Sequence, residues 1–355
     1  MTAGTSDGPI ERTPQRVTIR EVAIKAGVSV STVSLALADS PLIATDTKRK
    51  VREAAVALHY RPSALGRALQ SRRTNSVAVI VPHSSQHVFG HMYFMDILSG
   101  VNEVLNSADM TLVLSTTKTE VAEEEAYAKV LHSQIADGVI LASAALNDKN
   151  IASLQLSAYP FVFIGRYPLD PGVRAVSVDD EGGALQAARH LVQHGHTRIA
   201  HISGPLAHLS AADRLAGYRR ALAEANIEFR PEYCWEGDYS EEAGRAGTRA
   251  LLALEDPPTA IFAGNDETAI GVAAALRAAG HSPGADFPVV GFDDLMFARL
   301  VEPPLTTVHQ PIRELGSAAA HLLLALLNGR PIDGLQVQLP TRLVIRGSCG
   351  CSTAA

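Results

Sequence analysis

The sequence predicts an α/β protein in which a small helical N-terminal domain precedes two doubly wound parallel lobes. Three observations support this fold class: a basic first segment with helical spacing, an acidic remainder, and a strand–helix alternation that begins near residue 76 and restarts near residue 198. The chain has 355 residues, of which 46% are hydrophobic, so it is long enough for two or three domains with buried cores.

The charge is unevenly distributed along the chain. Residues 1–76 contain 12 Lys and Arg against 6 Asp and Glu, a balance of +6, whereas the rest has a balance of −12. A basic segment suits contact with phosphates, because neutralising them releases counterions. Residues 1–16 are predicted to be a disordered extension. They hold no apolar run of signal-peptide length, and no later window reaches membrane-spanning length, so we expect a cytoplasmic protein with no membrane partner.

The cysteines and histidines do not form a motif known for catalysis or metal binding. Cys234, Cys349 and Cys351 cannot form a disulfide framework, and the C-x-C near the C-terminus lacks the second ligand pair that zinc needs. His194 and His196 stand in a helix-end stretch that need not bind metal. Since there is also no Walker motif, no G-x-S-x-G and no H-E-x-x-H, we predict free thiols, no metal, no cofactor and no enzymatic activity.

The first helix is predicted from its capping residues. Thr18 and Glu21 form a capping box, in which a hydroxyl and a carboxylate satisfy the orphan N–H groups of a first turn. The helix then runs from about Ile19 to Ala26, and Gly27 supplies a tight turn.

Two more helices complete a domain over residues 17–60. Ser29 is a suitable N-cap for a second helix over Val30–Leu37, and a third helix starts at Thr45-Asp46. This is helix-turn-helix spacing. An ordinary small helical bundle would use the same apolar positions, so spacing alone leaves both interpretations open.

The amino-acid sequence of the segment decides between a helix-turn-helix domain and an ordinary helical bundle. TIREVAIKAGVSVSTVSLAL followed by TKRKVREAAVALHYRPSALGRAL resembles, almost position by position, the DNA-binding head of the LacI/GalR repressor family, and the resemblance continues through the whole chain. It implies a homodimeric transcription regulator, associated with the nucleoid when it binds a pseudo-palindromic operator. The second helix would enter the major groove. The base-reading positions on this helix are then Val30, Ser31 and Leu35. The positions that mostly contact DNA phosphates, and so position the domain on the duplex, are Thr18, Ser29, Thr32 and Ser34.

Leu35 departs from the family pattern. Well-known members carry longer polar side chains there, often Arg. Leucine cannot make a bidentate contact with guanine, but it can touch a thymine methyl, and Ser31 can donate to or accept from several bases. Discrimination between bases should therefore be weaker at this part of the operator. The alternative is that Leu35 is a core residue, although Val33 and Leu37 already fill the inward face.

Residues 61–75 are predicted to be a hinge helix and linker. The fixed φ of Pro62 suits the first position of a helix. A helix of fewer than ten residues is not stable in isolation, so this one should form only when the dimer and the DNA support it. By resemblance, Ser63, Gly66 and Leu69 contact DNA, with Leu69 as the wedge in the minor groove. The alternative is a flexible linker.

Residues 76–346 are predicted to be an effector-binding and dimerisation domain, with residues 347–355 as a tail. The body resembles the family's effector domain and, more distantly, periplasmic sugar-binding proteins. Ligands of doubly wound sheets bind beyond the carboxyl ends of the strands, so the cleft between lobes is the expected site. Crossovers are placed near Gly165, Asp293 and Leu327. Lobe one then spans about 76–164 and 294–326, and lobe two about 165–293 and 327–346.

Cleft residues follow from matching motifs. Arg214 matches the family's effector-holding arginine and Asp293 its hydroxyl-binding carboxylate, although the two could instead pair with each other. A planar donor opposite a carboxylate suits a polyol. Asn265 matches a further polar position, and Tyr239 an aromatic platform for a ring.

Four further residues are expected at the cleft. Tyr93 and Phe94 stand where many members have a Pro-Phe-Phe stretch, although both could be core residues. His208 and Ser210 replace the arginine and threonine of the purine-sensing member, which disfavours purines. The resemblance therefore favours a sugar or sugar derivative as effector. A non-catalytic solute-binding protein without a regulatory role would share the lobes, but it would need a signal peptide and has no use for the segment from Thr18 to Leu69.

Overall fold

The computed structural model describes residues 17–60, 73–117, 123–143, 148–157, 159–167, 172–331, 334 and 336–351. The chain divides into two compact units between Thr74 and Asn75. The hinge-helix positions Ser63, Gly66 and Leu69 lie outside the described residues, as does the predicted N-terminal extension. Within the described ranges, no helix combines the length and hydropathy needed to cross a bilayer.

The first unit contains the three predicted helices, α1 (Ile19–Ala26), α2 (Val30–Leu37) and α3 (Thr45–Ala57). The Glu21 carboxylate accepts from the Thr18 backbone N–H at 2.7 Å and from its hydroxyl at 2.9 Å. Gly27 has φ 67°, a left-handed conformation that glycine adopts without Cβ strain. The buried core of this unit consists of Val22, Ala23, Val33, Ala36, Val51, Ala54 and Ala55.

The second unit alternates strands and helices. Its strands are β1 (Ser76–Ser84), β2 (Thr111–Thr117), β3 (Gly138–Ala142), β4 (Phe161–Ile164), β5 (Ala175–Val178), β6 (Ile199–Ser203), β7 (Cys234–Glu236), β8 (Ala260–Ala263), β9 (Val289–Asp293), β10 (Thr306–His309), β11 (Gln336–Leu339) and β12 (Arg342–Val344). Its helices are α4 (Ser85–Gly90), α5 (Met92–Ser107), α6 (Glu123–Leu131), α7 (Lys149–Leu156), α8 (Asp180–Gln193), α9 (Leu209–Glu224), α10 (Glu241–Leu252), α11 (Asp266–Ala278) and α12 (Ile312–Leu327).

The strands form two sheets, one for each lobe. The first has the order β11-β5-β4-β3-β1-β2, and the second has the order β12-β10-β9-β8-β6-β7. The neighbouring strands pair in parallel, except that β10 and β12 are antiparallel. Two doubly wound parallel lobes are therefore present, as the sequence predicts.

The predicted crossovers at Gly165, Asp293 and Leu327 are wrong by one strand each. Strands β5 and β11 belong to the first sheet and β10 to the second, so the chain changes lobes at Asp179, at Gln310-Pro311 and at Pro340-Thr341. Each misassigned strand is only four residues long. A short strand followed by a connection of one or two residues shows no sequence sign of which sheet it joins.

Each sheet is covered on both faces. On β1, Val77, Val79 and Val81 pack toward α5 and α12, while Ala78 and Ile80 pack toward α6 and α7. The second sheet lies in the same way between α8 and α9 on one side and α10 and α11 on the other. This burial on both faces explains the continuous apolar runs of the central strands.

Helices α5 and α12 approach each other closely at two glycines. A Cβ at Gly100 would lie 2.0 Å from the Arg313 carbonyl oxygen, and one at Gly316 would lie 2.3 Å from the Ile97 carbonyl oxygen. A side chain at either position would force the helices apart.

Candidate functional site

The carboxyl ends of both sheets open onto one cavity of about 480 Å³, a volume suited to a small organic ligand. All eight residues predicted to bind the effector line it: Tyr93, Phe94, His208, Ser210, Arg214, Tyr239, Asn265 and Asp293. Although the predicted crossovers are misplaced, the expected position of the cleft is found.

Arg214, on α9, is only 5% exposed and is held rigidly at the cavity wall. Its Nε donates to Asp180 Oδ1 at 2.8 Å, and its Nη1 donates to the Gly264 carbonyl oxygen at 2.6 Å. The guanidinium carbon lies 3.7 Å from the centre of the Phe292 ring. These contacts fix the orientation of the guanidinium before any ligand binds.

Asp293, at the end of β9, is the second charged group of the wall. It is 4% exposed, and its Oδ1 lies 3.7 Å from Arg214 Nη1, too far for a hydrogen bond. The Gln310 side chain donates to the same carboxylate oxygen. Burial raises the pKa of Asp293 to about 7, although Arg214 and Gln310 both oppose that rise. The closest carboxylate partner of Arg214 is therefore Asp180, and Asp293 lies beside the arginine rather than hydrogen bonded to it.

The backbone at Asp293 is also unusual. Its φ is 117°, a conformation that non-glycine residues rarely adopt and that costs on the order of 1–3 kcal/mol. The neighbouring Asp266 faces the lobe interior instead, where its carboxylate accepts from the Leu295 N–H at 2.8 Å and from the Thr307 hydroxyl. Strain at the residue that points into the cavity is typical of a functional position.

Other predicted polar residues have structural partners as well. The Tyr239 hydroxyl lies 3.4 Å from Ser210 Oγ, and burial raises the pKa of Tyr239. Asn265 caps α11, since its Oδ1 accepts from the Thr268 N–H at 2.9 Å. Asn265 thus both starts a helix and lines the cavity.

Lobe one contributes aromatic and imidazole rings. Tyr93 and Phe94 meet edge to face with centroids 5.5 Å apart. Among the described residues, four histidines line the cavity, three from lobe one and His208 from lobe two. Three of their ring contacts have centroid distances of 4.7 Å (His83 to His87), 4.2 Å (His87 to His91) and 6.0 Å (His83 to His208). Burial lowers the pKa of His208 to about 4, so this ring is neutral at physiological pH.

Sequence reasoning missed several cavity residues. Asp180 and Gln310 follow strands β5 and β10, which the predicted crossovers place in the wrong lobe, so their position at the carboxyl ends was not apparent. His83 and His87 carry a weak signal, since they surround the end of the recognised strand β1.

Among the described residues, two ion pairs join the lobes beside the cavity. Arg166, after β4, donates to Asp213 on α9 through two bonds of 2.8 and 2.5 Å. His91, at the start of α5, contacts the carboxylate of Glu267 on α11. The structure therefore shows the lobes linked across the cleft.

In the helical unit, the predicted base-reading residues lie on α2. Val30 is 41% exposed and Ser31 is exposed, whereas Leu35 is half-buried and is not part of the described core cluster of this unit. Ser29 caps α2 by accepting from the Thr32 N–H at 3.1 Å, and the two hydroxyls are 2.8 Å apart. The side chains of Val30 and Ser31 are thus available to a partner.

A helix-turn-helix unit on the same chain as a two-lobed ligand-binding unit defines a ligand-responsive DNA-binding protein. Residues 18–63 match the bacterial regulatory proteins of the lacI family, and residues 188–349 match the periplasmic binding protein-like domain. The chain is 32% identical over 333 residues to Catabolite control protein A of Priestia megaterium, covering 94% of this chain and 99% of that protein. It is 33% identical over 332 residues to the HTH-type transcriptional repressor PurR of Mannheimia succiniciproducens, covering 93% and 98%. The chain belongs to the LacI family of transcription regulators.

Solved structures of LacI-type regulators have the same fold as this chain. The transcriptional regulator CelR in complex with cellobiose superposes with a TM-score of 0.74 at 33% identity, covering 94% of this chain and 100% of that one. The lac repressor dimer bound to operator and the anti-inducer ONPF superposes with a TM-score of 0.82 at 29% identity, covering 94% and 99%.

Proposed function

We propose that this protein is a repressor that binds a pseudo-palindromic operator as a homodimer, and that a sugar or sugar derivative in the cleft sets its operator affinity. The observation that carries this proposal is the placement of Arg214 and Asp293 side by side, both buried and oriented, at a cavity that also exposes aromatic rings. Relatives in the family are DNA-binding regulators, so the cleft is taken as a binding site and not a catalytic one. The protein would act in the cytoplasm, and at the nucleoid when it is bound to its operator.

A polyol fits the chemistry of the wall. Arg214 can donate to ring and hydroxyl oxygens, and Asp293 can accept from hydroxyls. The face of Tyr239 offers an apolar platform for the C–H side of a sugar ring, with Tyr93 and Phe94 on the opposite lobe. The similar regulator CelR has been solved with cellobiose, a sugar of this chemical class.

The mechanism we propose is a coupling free energy between cleft and DNA-binding head. The lobes are joined by three short crossovers, so a ligand that contacts both lobes changes their relative populations of open and closed states. In a dimer, that change would alter the separation of the two hinge helices and hence decide whether both can enter the groove.

The first test is a thermal-shift screen of the full chain against monosaccharides, disaccharides, nucleobases and amino acids. A ligand at 100 times its dissociation constant adds about 2.7 kcal/mol of stability, enough to be seen as a higher melting temperature. We expect hits among the sugars, and hits confined to nucleobases would contradict the sugar assignment.

The second test measures operator affinity by fluorescence anisotropy at one fixed salt concentration, with and without the hit. A change of either sign supports regulation. A sugar that binds tightly and leaves operator affinity unchanged would favour the solute-binding alternative. Sedimentation of the complex should show two chains on one operator, since one short recognition helix buries too little surface for specific binding.

A further inference from the structure

A second cluster of reactive side chains lies outside the cleft, where α8 meets the C-terminal turn of the described chain. It consists of His190 on α8, of His194 directly after the end of α8, and of Cys349 and Cys351, and we call it the His2Cys2 cluster. The Cys351 sulfur lies 3.0 Å from His194 Nε2 and 3.4 Å from His190 Nε2. The ligand atoms of His190, Cys349 and Cys351 all lie within 4.8 Å of one another.

The fold supplies the ligand pair that the sequence around the C-x-C does not show. His190 lies in the last turn of α8 and His194 is its C-cap, four residues on, so both rings lie on one side of the helix end, with centroids 4.4 Å apart. More than 150 residues separate them from the cysteines in the sequence. The prediction of free thiols treated the C-x-C as isolated, and the structure shows that it is not.

The cysteine turn is firmly anchored. The Ser348 hydroxyl donates to the Val289 carbonyl oxygen at 2.6 Å and accepts from the Thr306 N–H at 2.8 Å. Gly350, between the two cysteines, has φ 79°, and a Cβ there would lie 2.5 Å from the Gly284 carbonyl oxygen. Only glycine fits this close approach, so the backbone that presents both thiols has a fixed course.

His194 is oriented as a metal ligand would be. Its Nδ1 lies 2.8 Å from the His190 carbonyl oxygen, which can only accept, so Nδ1 carries the proton. The lone pair is therefore on Nε2, the nitrogen that faces Cys351. Histidines that bind metal through one nitrogen usually donate the other N–H to a carbonyl or carboxylate in this way.

We propose that the His2Cys2 cluster binds a divalent zinc-type metal ion, which clamps the C-terminal turn onto α8. Two thiolates and two imidazoles are a common ligand set for structural zinc, and in tetrahedral geometry their ligand atoms lie about 3.5 Å apart. The distances of 3.0 and 3.4 Å around Cys351 are close to that spacing. His190, Cys349 and Cys351 form the compact set of three ligands, and His194, whose Nε2 lies 3.0 Å from Cys351, would supply the fourth and complete the coordination, as in structural and not catalytic sites.

The test loads the reduced, full-length protein with Co²⁺ and then titrates in Zn²⁺ against a chromophoric chelator. We expect one cobalt per chain, with thiolate charge-transfer and tetrahedral d–d absorption that zinc abolishes. Zinc should also raise the melting temperature of the effector-binding unit.

Cys351→Ser and His194→Ala should each weaken zinc binding by at least about 100-fold, because loss of an outer-shell partner alone costs 10- to 100-fold. Cys234→Ser is the matched control, since it removes the third cysteine from the opposite edge of the second sheet and should leave the cobalt spectrum unchanged. Both ligand variants are checked for native circular dichroism.

Three results would overturn the proposal. One is the absence of tetrahedral cobalt absorption in the reduced wild-type protein. Another is a spectrum that survives both Cys351→Ser and His194→Ala. The last is a Cys349–Cys351 disulfide, found by mass spectrometry, that persists in reducing buffer and excludes metal.

Discussion

Asp293 shows at the scale of one residue how the cleft is prepared for a ligand. Its carboxylate is buried, its backbone has φ 117°, and burial raises its pKa to about 7. Each of these features lowers the stability of the folded protein when no ligand is bound. A ligand hydroxyl that donates to this carboxylate would offset part of the desolvation cost, which is consistent with a role in binding.

We predict that Asp293→Ala abolishes the effector response and leaves basal operator binding intact. Hydrogen bonds to a charged group contribute about 1.5–3 kcal/mol, so effector affinity should fall at least tenfold. Calorimetry gives the effector affinity, and anisotropy gives the operator affinity. Glu255→Ala, which removes an exposed carboxylate of the same lobe, should behave as wild type. A normal response by Asp293→Ala would show that the site is misassigned.

Leu35 is the residue at which operator preference should differ from that of relatives with Arg. We predict that Leu35→Ala weakens operator binding by about 1 kcal/mol, or fivefold, through loss of contact with a thymine methyl. The check is a double-mutant cycle in which each operator thymine is replaced by uracil, which lacks that methyl. At the thymine that Leu35 contacts, the losses of binding free energy from Leu35→Ala and from the uracil replacement should be non-additive. Val56→Ala, at an exposed apolar position on α3, should be additive at every thymine. Additivity of Leu35→Ala throughout would exclude methyl readout.

Packing at the scale of elements depends on glycine where helices touch. We predict that Gly100→Ala destabilises the effector-binding unit by at least about 2 kcal/mol, because the new methyl group would meet the Arg313 carbonyl oxygen on α12. Gly90→Ala is the matched control in the same lobe, since nothing lies within 4 Å of its Cβ position, and it should change stability little. Urea unfolding measures both. Equal stability of the two variants would show that α5 and α12 can separate without cost.

The elements that could be predicted are those with strong local signals. The helices α1 and α2 begin and end as expected because the capping box, Gly27 and Ser29 mark their limits in the sequence. The strands β5, β10 and β11 were placed in the wrong lobe, because a strand of four residues followed by a connection of one or two residues carries no sign of the sheet that it joins. Residues that depend on those strands were missed with them. Asp180 and Gln310 are examples, whereas Arg214 and Asp293 lie in motifs that the family resemblance identifies. The His2Cys2 cluster could not be predicted, because only the fold brings α8 to the C-terminal turn.

At the scale of the whole molecule, closure of the lobes should depend on pH through His91. Its hydrogen bond to Glu267 raises the pKa of His91 above the ordinary 6.5, against burial, and Asp238 and Asp293 act in the same direction as Glu267. His87 also packs on this ring. Because the pKa of His91 is raised in the folded state, its contact with Glu267 stabilises the fold fully below pH 6.5. This stabilisation is lost as the pH rises through the raised pKa.

We therefore predict that His91→Gln lowers the free energy of unfolding most at about pH 6 and hardly at all at about pH 9. Urea unfolding across this range measures the difference from wild type. Arg166→Gln removes the second ion pair between the lobes, but an arginine stays charged throughout, so its effect should not change with pH. A pH-independent effect of His91→Gln would rule out titration of the His91 contact.

The placement of the three crossovers also has a consequence for recombination between relatives. Each lobe is assembled from separate stretches of chain, and β11 and β12 are consecutive strands that belong to different sheets. A gene crossover anywhere from residue 204 to residue 335 would therefore pair strands of one parent with strands of the other inside both sheets. An exchange at residues 61–72 would leave every described strand with its own partners. New combinations of operator and effector should thus arise by exchange of whole heads, and ligand preference should change mainly by point substitution within an intact body.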